Sequence, residues 1–423
     1  MNLNVTDNIE KATLLGPFKQ IIPMTGIALK GPVDDKEIKI IVNGGIVVQD
    51  SKIGAVGSFS ELREQFPAAE NKTLNGNHVC IPGLIDAHTH ICFGGSRAKD
   101  YAMRNAGKSY LEIAKSGGGI WDTVIQTRKS DQEQLTKSTL KLANRHLKNG
   151  TTTIEVKSGY GLTVEEELKM LRAIKDASLE AMPDLIATCL AAHMVPKDFE
   201  GTAAEYLEAI ASQLLPILLK EDLTTRIDAF IEESAFSAQQ IAPYFEKAKE
   251  LGFDITVHAD QFSTGGSKVA VDFDALSADH LEASTTKEIA LLAKSDTIAT
   301  ALPGASLGLG CSFTPARKLL DAGATLAIAS DHNPGSAPMG DLLTQATILG
   351  AFEKLTNAEV LSGITFRAAA ALKLTDRGKI EEGLLADLAV FHSDNYQDIL
   401  YNQGNLKPCM IWKSGDLVFD KHK

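Results

Sequence analysis

Between about residues 81 and 374 the chain alternates short apolar runs with long stretches of helical periodicity, and it does so eight times. The runs are GLIDAHTHICF, TTTIEVKSGYG, LIATCLAAHMV, TRIDAFIEESAF, FDITVHADQF, ALSADHLEA, TIATALPGA and TLAIASDHNPG. Strands joined through helices pair in parallel, so the pattern predicts an α/β fold with a parallel sheet covered by helices. Eight such units in succession predict closure into a (β/α)8 TIM-like barrel, whose chemistry gathers at the C-terminal ends of the strands. Several of the runs end in His, Asp, Glu or Lys, residues that are costly to bury without a purpose.

The two ends of the chain have a different texture. EIKIIVNGGIVVQDSKIGAVG and KTLNGNHVCIPG near the start, and GLLADLAVFHSDNY and PCMIWKSGDLVFD near the end, are β runs divided by Asn-Gly, Asp-Ser and Ser-Gly-Asp turns. They predict a small β-sandwich domain composed of residues 1–80 with 375–423, leaving 81–374 for the barrel. A chain of 423 residues accommodates one large domain and an accessory one.

The formal charge of −12 disfavours nucleic acid and anionic membrane surfaces as partners. An anionic small molecule would need a local cation inside a pocket. The five cysteines are odd in number, widely spaced and free of any CxxC pair, which argues against a disulfide framework and for a reducing cytoplasm. The N-terminal stretch lacks a charged-then-apolar leader pattern, and no apolar run approaches the roughly 20 residues of a membrane span.

Alternation along DAHTHICF puts His88 and His90 on one face, able to reach one ion, with Thr89 turned away. An isolated HxH is weak evidence, but this one has company. His193 closes the third strand, His258 the fifth, His280 the sixth and Asp331 the eighth. Imidazoles with a carboxylate form an N/O set suited to Zn²⁺ or iron, and three His with one Asp leave room for a water. His78, His146, His332, His392 and His422 lie elsewhere and are read as ordinary structural or surface residues, with His332 pointing opposite to Asp331.

PGLIDAHTH, with a later lone His, a second His and a terminal SD pair, resembles the amidohydrolase superfamily. The blocks FGGSRAKDYAMRNAGKSYLEIAKSGGGI, EVKSGYGL, AAHMVP, HADQF and SDHNPGSAP resemble its branch that hydrolyses the cyclic amide of 4-imidazolone-5-propanoate to N-formimidoyl-L-glutamate in histidine degradation. The resemblance implies one divalent metal ion per subunit, Zn²⁺ or Fe²⁺/Fe³⁺, held by His88, His90, His258 and Asp331. It also implies substrate contacts from Arg97, Tyr160 and His193, a pocket lined by Gln261, Asn333, Gly335 and Ser336, and a homodimer.

Chemistry adds its own reasons. Ring opening needs a base for the water and an acid for the departing nitrogen, and His280 and Asp331 sit on strands placed for that relay. Relatives can carry Glu where this chain has Gln261; an amide cannot act as a general base, so Gln261 is expected to orient by hydrogen bonds. Arg97 offers a planar fork to the substrate's propanoate. The fourth strand has no lysine to bridge a second metal, and Lys157 sits on the second, so one ion is expected. Two other readings stay open: a cytosine- or guanine-type deaminase, which needs no carboxylate clamp, and a non-catalytic barrel scaffold.

Overall fold

The computed structural model describes residues 12–108, 110–233 and 235–421. His422 lies outside them.

All eight apolar runs form strands: β1 (Leu84–Asp86), β2 (Thr151–Lys157), β3 (Asp184–Ala192), β4 (Arg226–Ile231), β5 (Asp254–Ala259), β6 (Ser277–His280), β7 (Ile298–Ala301) and β8 (Leu326–Ile328). They pair in parallel with each strand beside its neighbour in sequence, from β1 to β8. The ring is completed just beyond the first and last strands. There the Asp331 amide donates to the His88 carbonyl (3.0 Å) and the His90 amide to the His332 carbonyl (2.9 Å). Closure therefore happens at the segment that carries the candidate ligands.

Helices wrap the barrel because their sequences both start cleanly and present one apolar face. Asp131, Thr202, Ser237, Thr285 and Thr356 each cap a helix through a reciprocal box with a Glu or Gln at the third helical position. In the helix Gln132–Lys148 the buried residues Leu135, Thr139, Ala143, His146 and Leu147 recur at helical spacing. On β2, Ile154 and Val156 join the hydrophobic core while Glu155 and Lys157, of the alternate set, are buried and ion-paired to each other. Asp228 on β4 and Asp279 on β6 are buried with them, so the lower part of the site is ionic where such barrels usually carry branched apolar layers.

The chain ends do meet, in one mixed sheet of eight strands. Its order runs Asp416–Asp420, Met410–Lys413, Leu388–His392, His78–Pro82, Thr13–Ile21, Ile41–Gln49 and Lys52–Ser58, with Glu70–Thr73 beside Thr13–Ile21. Alternation divides its side chains between two cores. Cys80, Leu388 and Val390 pack with Phe18 and Trp412, whereas Val79, Ile81, Ala389 and Phe391 join the core that runs through the barrel. The small sheet is thus fastened to the large one by alternate residues of two adjacent strands. Among the described residues all five cysteines are free, four of them buried. No helix among those residues is long and apolar enough to cross a membrane.

Candidate metal centre and active site

His88 and His90 lie just past the end of β1, and their Nε2 atoms stand 3.2 Å apart. His258, near the end of β5, brings its Nε2 to 3.3 Å from that of His90. Asp331, just past β8, places Oδ1 at 3.6 Å from His88 Nε2 and 3.4 Å from His90 Nε2. All four side chains are buried.

The far sides of two imidazoles decide which way their lone pairs face. Asp279 Oδ2 lies 2.7 Å from His88 Nδ1, and Asp228 Oδ2 lies 2.9 Å from His258 Nδ1. A carboxylate at Nδ1 favours the proton there and leaves Nε2 bare. Burial lowers the pKa of His88 and His90 well below the usual value, helped by neighbouring cations and imidazoles. Burial also lowers His258 to about 4, although Asp228 opposes it. The result is a set of neutral imidazoles beside a carboxylate, with the Nε2 atoms of His88 and His258 left bare. Tetrahedral ligands at about 2.1 Å from an ion stand about 3.4 Å from one another, so the observed separations suit a zinc- or iron-sized cation. His280 also approaches: one of its ring nitrogens lies within 4.8 Å of nitrogens of His88 and His258. Burial raises the Asp331 carboxyl to about 6, against the pull of His280 and the hydrogen bond from Asn333.

Beneath this cluster sits Lys157, fully buried, 2.8 Å from both Glu155 and Asp228 and 3.9 Å from Asp279. Burial disfavours its charge, but Asp228, Glu155 and Asp279 outweigh that and hold its pKa above the ordinary lysine value. Lys157 therefore neutralises the two carboxylates that orient His88 and His258. The sequence pattern gives Lys157 a place on the second strand without a task and does not single out Asp228 or Asp279. The available signal was a charge inside each apolar strand, in IEVK, RIDAF and SADH.

Of the expected substrate residues, Tyr160, His193 and Arg97 lie about the same mouth. Tyr160 is buried, its ring 6.0 Å from that of His90 and 5.7 Å from that of His193. His193 stacks on His90 at 5.8 Å, and its Nδ1 donates to the Gly159 carbonyl at 2.9 Å. Arg97 is already engaged, with Nε bonded to Asp100 Oδ2 at 2.5 Å and Nη1 3.4 Å from Thr123 Oγ1. Its fork is braced by these partners. Gly335 passes under the guanidinium so closely that a Cβ there would lie 2.9 Å from Arg97 Nη1. Asn333 is consumed by its own loop: Nδ2 donates to Asp331 Oδ2 (2.9 Å) and Ser336 Oγ (2.9 Å), and Oδ1 accepts from the amides of Gly335 (2.8 Å) and Ser336 (2.7 Å). Gln261 is half-buried in the loop after β5. A cavity of about 610 Å³ adjoins Arg97 and the Asn333–Ser336 loop, lined also by Tyr101 and Arg145.

His332 does turn away from Asp331. It accepts or donates at 2.8 Å to His146, which in turn lies 3.4 Å from Asp86. His78 and His392 face each other edge-on in adjacent strands of the small sheet.

An eight-stranded barrel with buried imidazoles and a carboxylate converging at its C-terminal mouth is the frame of a metal-dependent hydrolase. The amidohydrolase family profile matches residues 79–418, and a profile for the imidazolonepropionase-like composite domain of bacteria matches residues 44–69. The chain is 40% identical over 388 residues to an imidazolonepropionase of Fusobacterium nucleatum, covering 91% of this chain and 94% of that one. It is 38% identical to an imidazolonepropionase of Bacillus cytotoxicus, with 91% of each chain covered. The chain belongs to the imidazolonepropionases, a branch of the amidohydrolase family. Among solved structures, atrazine chlorohydrolase of Arthrobacter aurescens with zinc superposes with a TM-score of 0.73 at 16% identity, covering 97% of this chain and 96% of that one. A guanine deaminase of C. acetobutylicum superposes with a TM-score of 0.67 at 17% identity, covering 97% and 100%. At such identities the likeness is one of fold.

Proposed function

We propose that the chain hydrolyses the cyclic amide C–N bond of 4-imidazolone-5-propanoate to N-formimidoyl-L-glutamate, using one divalent ion held by His88, His90, His258 and Asp331. The observation that carries this is the spacing of four contacts, His88–His90, His90–His258, His88–Asp331 and His90–Asp331, at 3.2–3.6 Å, with Nδ1 of His88 and of His258 facing a carboxylate. Zn²⁺ and iron both suit such a set. The ion supplies Lewis acidity, which makes water a nucleophile near neutral pH and polarises the amide carbonyl.

The chain's own residues do the rest. Arg97, locked by Asp100, presents its remaining donors to the propanoate. Tyr160, His193 and Gln261 orient the ring, and the Asn333–Ser336 loop holds Asp331 while closing the pocket. His280 and Asp331 handle the proton: it leaves the attacking water and goes to the departing ring nitrogen. We further propose a homodimer working in the cytoplasm, and a division into residues 81–374 as the barrel and 1–80 with 375–423 as the accessory domain. The free thiols agree with a reducing compartment.

The test is incubation of the purified protein with imidazolone propanoate, following loss of the ring chromophore and appearance of formimidoylglutamate. No turnover, or ammonia release from a nucleobase instead, refutes the assignment. Metal analysis of protein purified without chelators should find one ion per chain, and sedimentation should find a dimer.

A further inference from the structure

His280 can work as a proton carrier only if one ring nitrogen faces the site without a proton. Something on the other side of the ring must then hold the proton in place. His88 has Asp279 for this and His258 has Asp228, but the sequence offers no equivalent for His280 by strand alternation.

The backbone supplies one. His280 and Leu281 both adopt left-handed conformations, with φ of 85° and 71°. Two consecutive non-glycine residues in that region cost about 1–3 kcal/mol each and persist only where surrounding bonds impose them. Here the Leu281 amide donates to Ala259 (3.0 Å), the Ala283 amide to Asp260 (2.8 Å), and Thr314 Oγ1 bonds the His280 carbonyl (2.5 Å). The turn folds Glu282 back beside His280. Its side chain is 4% exposed, and Oε1 lies 3.5 Å from His280 Nδ1. Ser306 Oγ donates to the same Oε1 at 3.2 Å, fixing the carboxylate from its other side. Oε2 is buried and has no hydrogen-bond partner among the described residues. A buried carboxylate with an oxygen to spare and an imidazole as its nearest basic group has a clear physical task.

We propose that Glu282 is a positioning residue for the ring opening: its carboxylate accepts from His280 Nδ1, fixing the tautomer in which Nε2 is bare and turned to the metal-facing cluster. This deepens the proposed hydrolysis and rests on it. In that reaction Nε2 takes a proton from water as oxygen bonds the amide carbon. Nε2 then returns the proton to the ring nitrogen as the C–N bond breaks, and the new carboxyl group ionises. The other charged and titratable groups facing His280 include Asp331, Asp279, His88, His258 and His193. Glu282 is the group at hydrogen-bond distance from Nδ1.

The experiment compares Glu282→Gln and Glu282→Asp with the parent. Histidine ring ¹⁵N spectra of the metal-free protein report the tautomer, with His280 assigned by the signal lost in His280→Asn. Expected for Glu282→Gln are a shift of His280 from the Nδ1–H towards the Nε2–H form, unchanged metal stoichiometry, KM within about threefold, and kcat lower by about 10²–10⁴-fold. Glu282→Asp keeps the charge and should fall between. An unchanged tautomer, or a kcat within threefold of the parent, overturns the proposal. Loss of metal in both variants also overturns it, because Glu282 would then serve the metal cluster itself. Should the parent fail to open the imidazolone ring, the functional reading falls, while the tautomer of the metal-free protein still decides the role of Glu282.

Discussion

Replacing Lys157 by Met should destabilise the protein by about 3–5 kcal/mol, the usual cost of stranding buried charges whose partner is removed. Lys157 Nζ stands 2.8 Å from Glu155 and from Asp228, with Asp279 at 3.9 Å, and none of these groups reaches solvent. At an effective dielectric of about 20, each of the two shorter contacts is a gross attraction of about 6 kcal/mol, mostly cancelled by the water that all the ions gave up. Methionine fills the space of the stem but leaves three carboxylates facing one another. They can relieve the repulsion only by taking up protons. Their folded-state pKa values then rise above the unfolded ones, so the variant is most stable in acid and loses stability as pH climbs through the raised values. The penalty should therefore be larger at pH 8 than at pH 5. Urea denaturation of the metal-free proteins, followed by far-UV circular dichroism, measures it. The double variant Lys157→Met/Glu155→Gln removes one of the stranded charges and should recover part of the loss. A penalty below about 1 kcal/mol, or a double variant no more stable than the single one, would refute the account of an ionic layer balanced by Lys157.

Asp279→Asn weakens the anchor at His88 Nδ1, and chelator competition should find metal affinity lower by about 10–100-fold; unchanged affinity would mean that Asp279 does not orient the ligand. Arg97→Lys keeps the charge but loses the braced fork, so KM for the anionic imidazolone should rise about tenfold to a hundredfold, with kcat within threefold. A pH series addresses the pair behind the site. Burial lowers His146 to about 3 and His332 to about 2, and raises Asp86 to about 7. Between about pH 4 and 6 the unfolded chain binds protons at both histidines that the fold refuses, so stability falls on acidification; Asp86, protonated in the fold, acts in the opposite sense. Asp86→Asn removes that opposition and should steepen the fall by about 1.4 kcal/mol per pH unit, and an unchanged slope would exclude a protonated Asp86.

The fold was legible because its signal is repetitive. Eight apolar runs alternating with helical stretches allow few topologies, and each became a strand with its neighbour in sequence at its side. The residues brought together at the mouth were legible for a related reason. A polar side chain at the end of an apolar strand stands out, which singles out His88, His90, His193, His258, His280 and Asp331. Residues one turn of alternation below them were not legible. Asp228 and Asp279 stand out only once the register sets His258 beside Asp279 on the adjoining strand and puts the Asp228 carboxylate against the His258 ring.

Glu282 was hidden for a different reason, and the reason bears on how such sites are built. Reading by alternation assumes extended backbone, in which residues two apart stand on one face about 7 Å from each other. At His280 and Leu281 that assumption fails, because both lie at positive φ. No propensity of His or Leu announces such a turn; it is imposed by bonds to Ala259, Asp260 and Thr314, which come from the preceding strand's end and from a segment some thirty residues later. Asp331, with φ of 51°, is bent in the same way, and Asn333 and Ser336 hold its carboxylate. The two groups assigned to proton transfer thus sit at left-handed residues, whereas His88, His90 and His258, which need only converge, do not. If strain of this kind serves to aim the proton carriers, relieving it should cost turnover before it costs metal. Thr314→Val removes the hydroxyl that holds the His280 carbonyl while leaving every proposed ligand in place. It should therefore lower kcat with metal affinity unchanged, and parallel losses of both would show the turn to be scaffolding for the metal cluster alone.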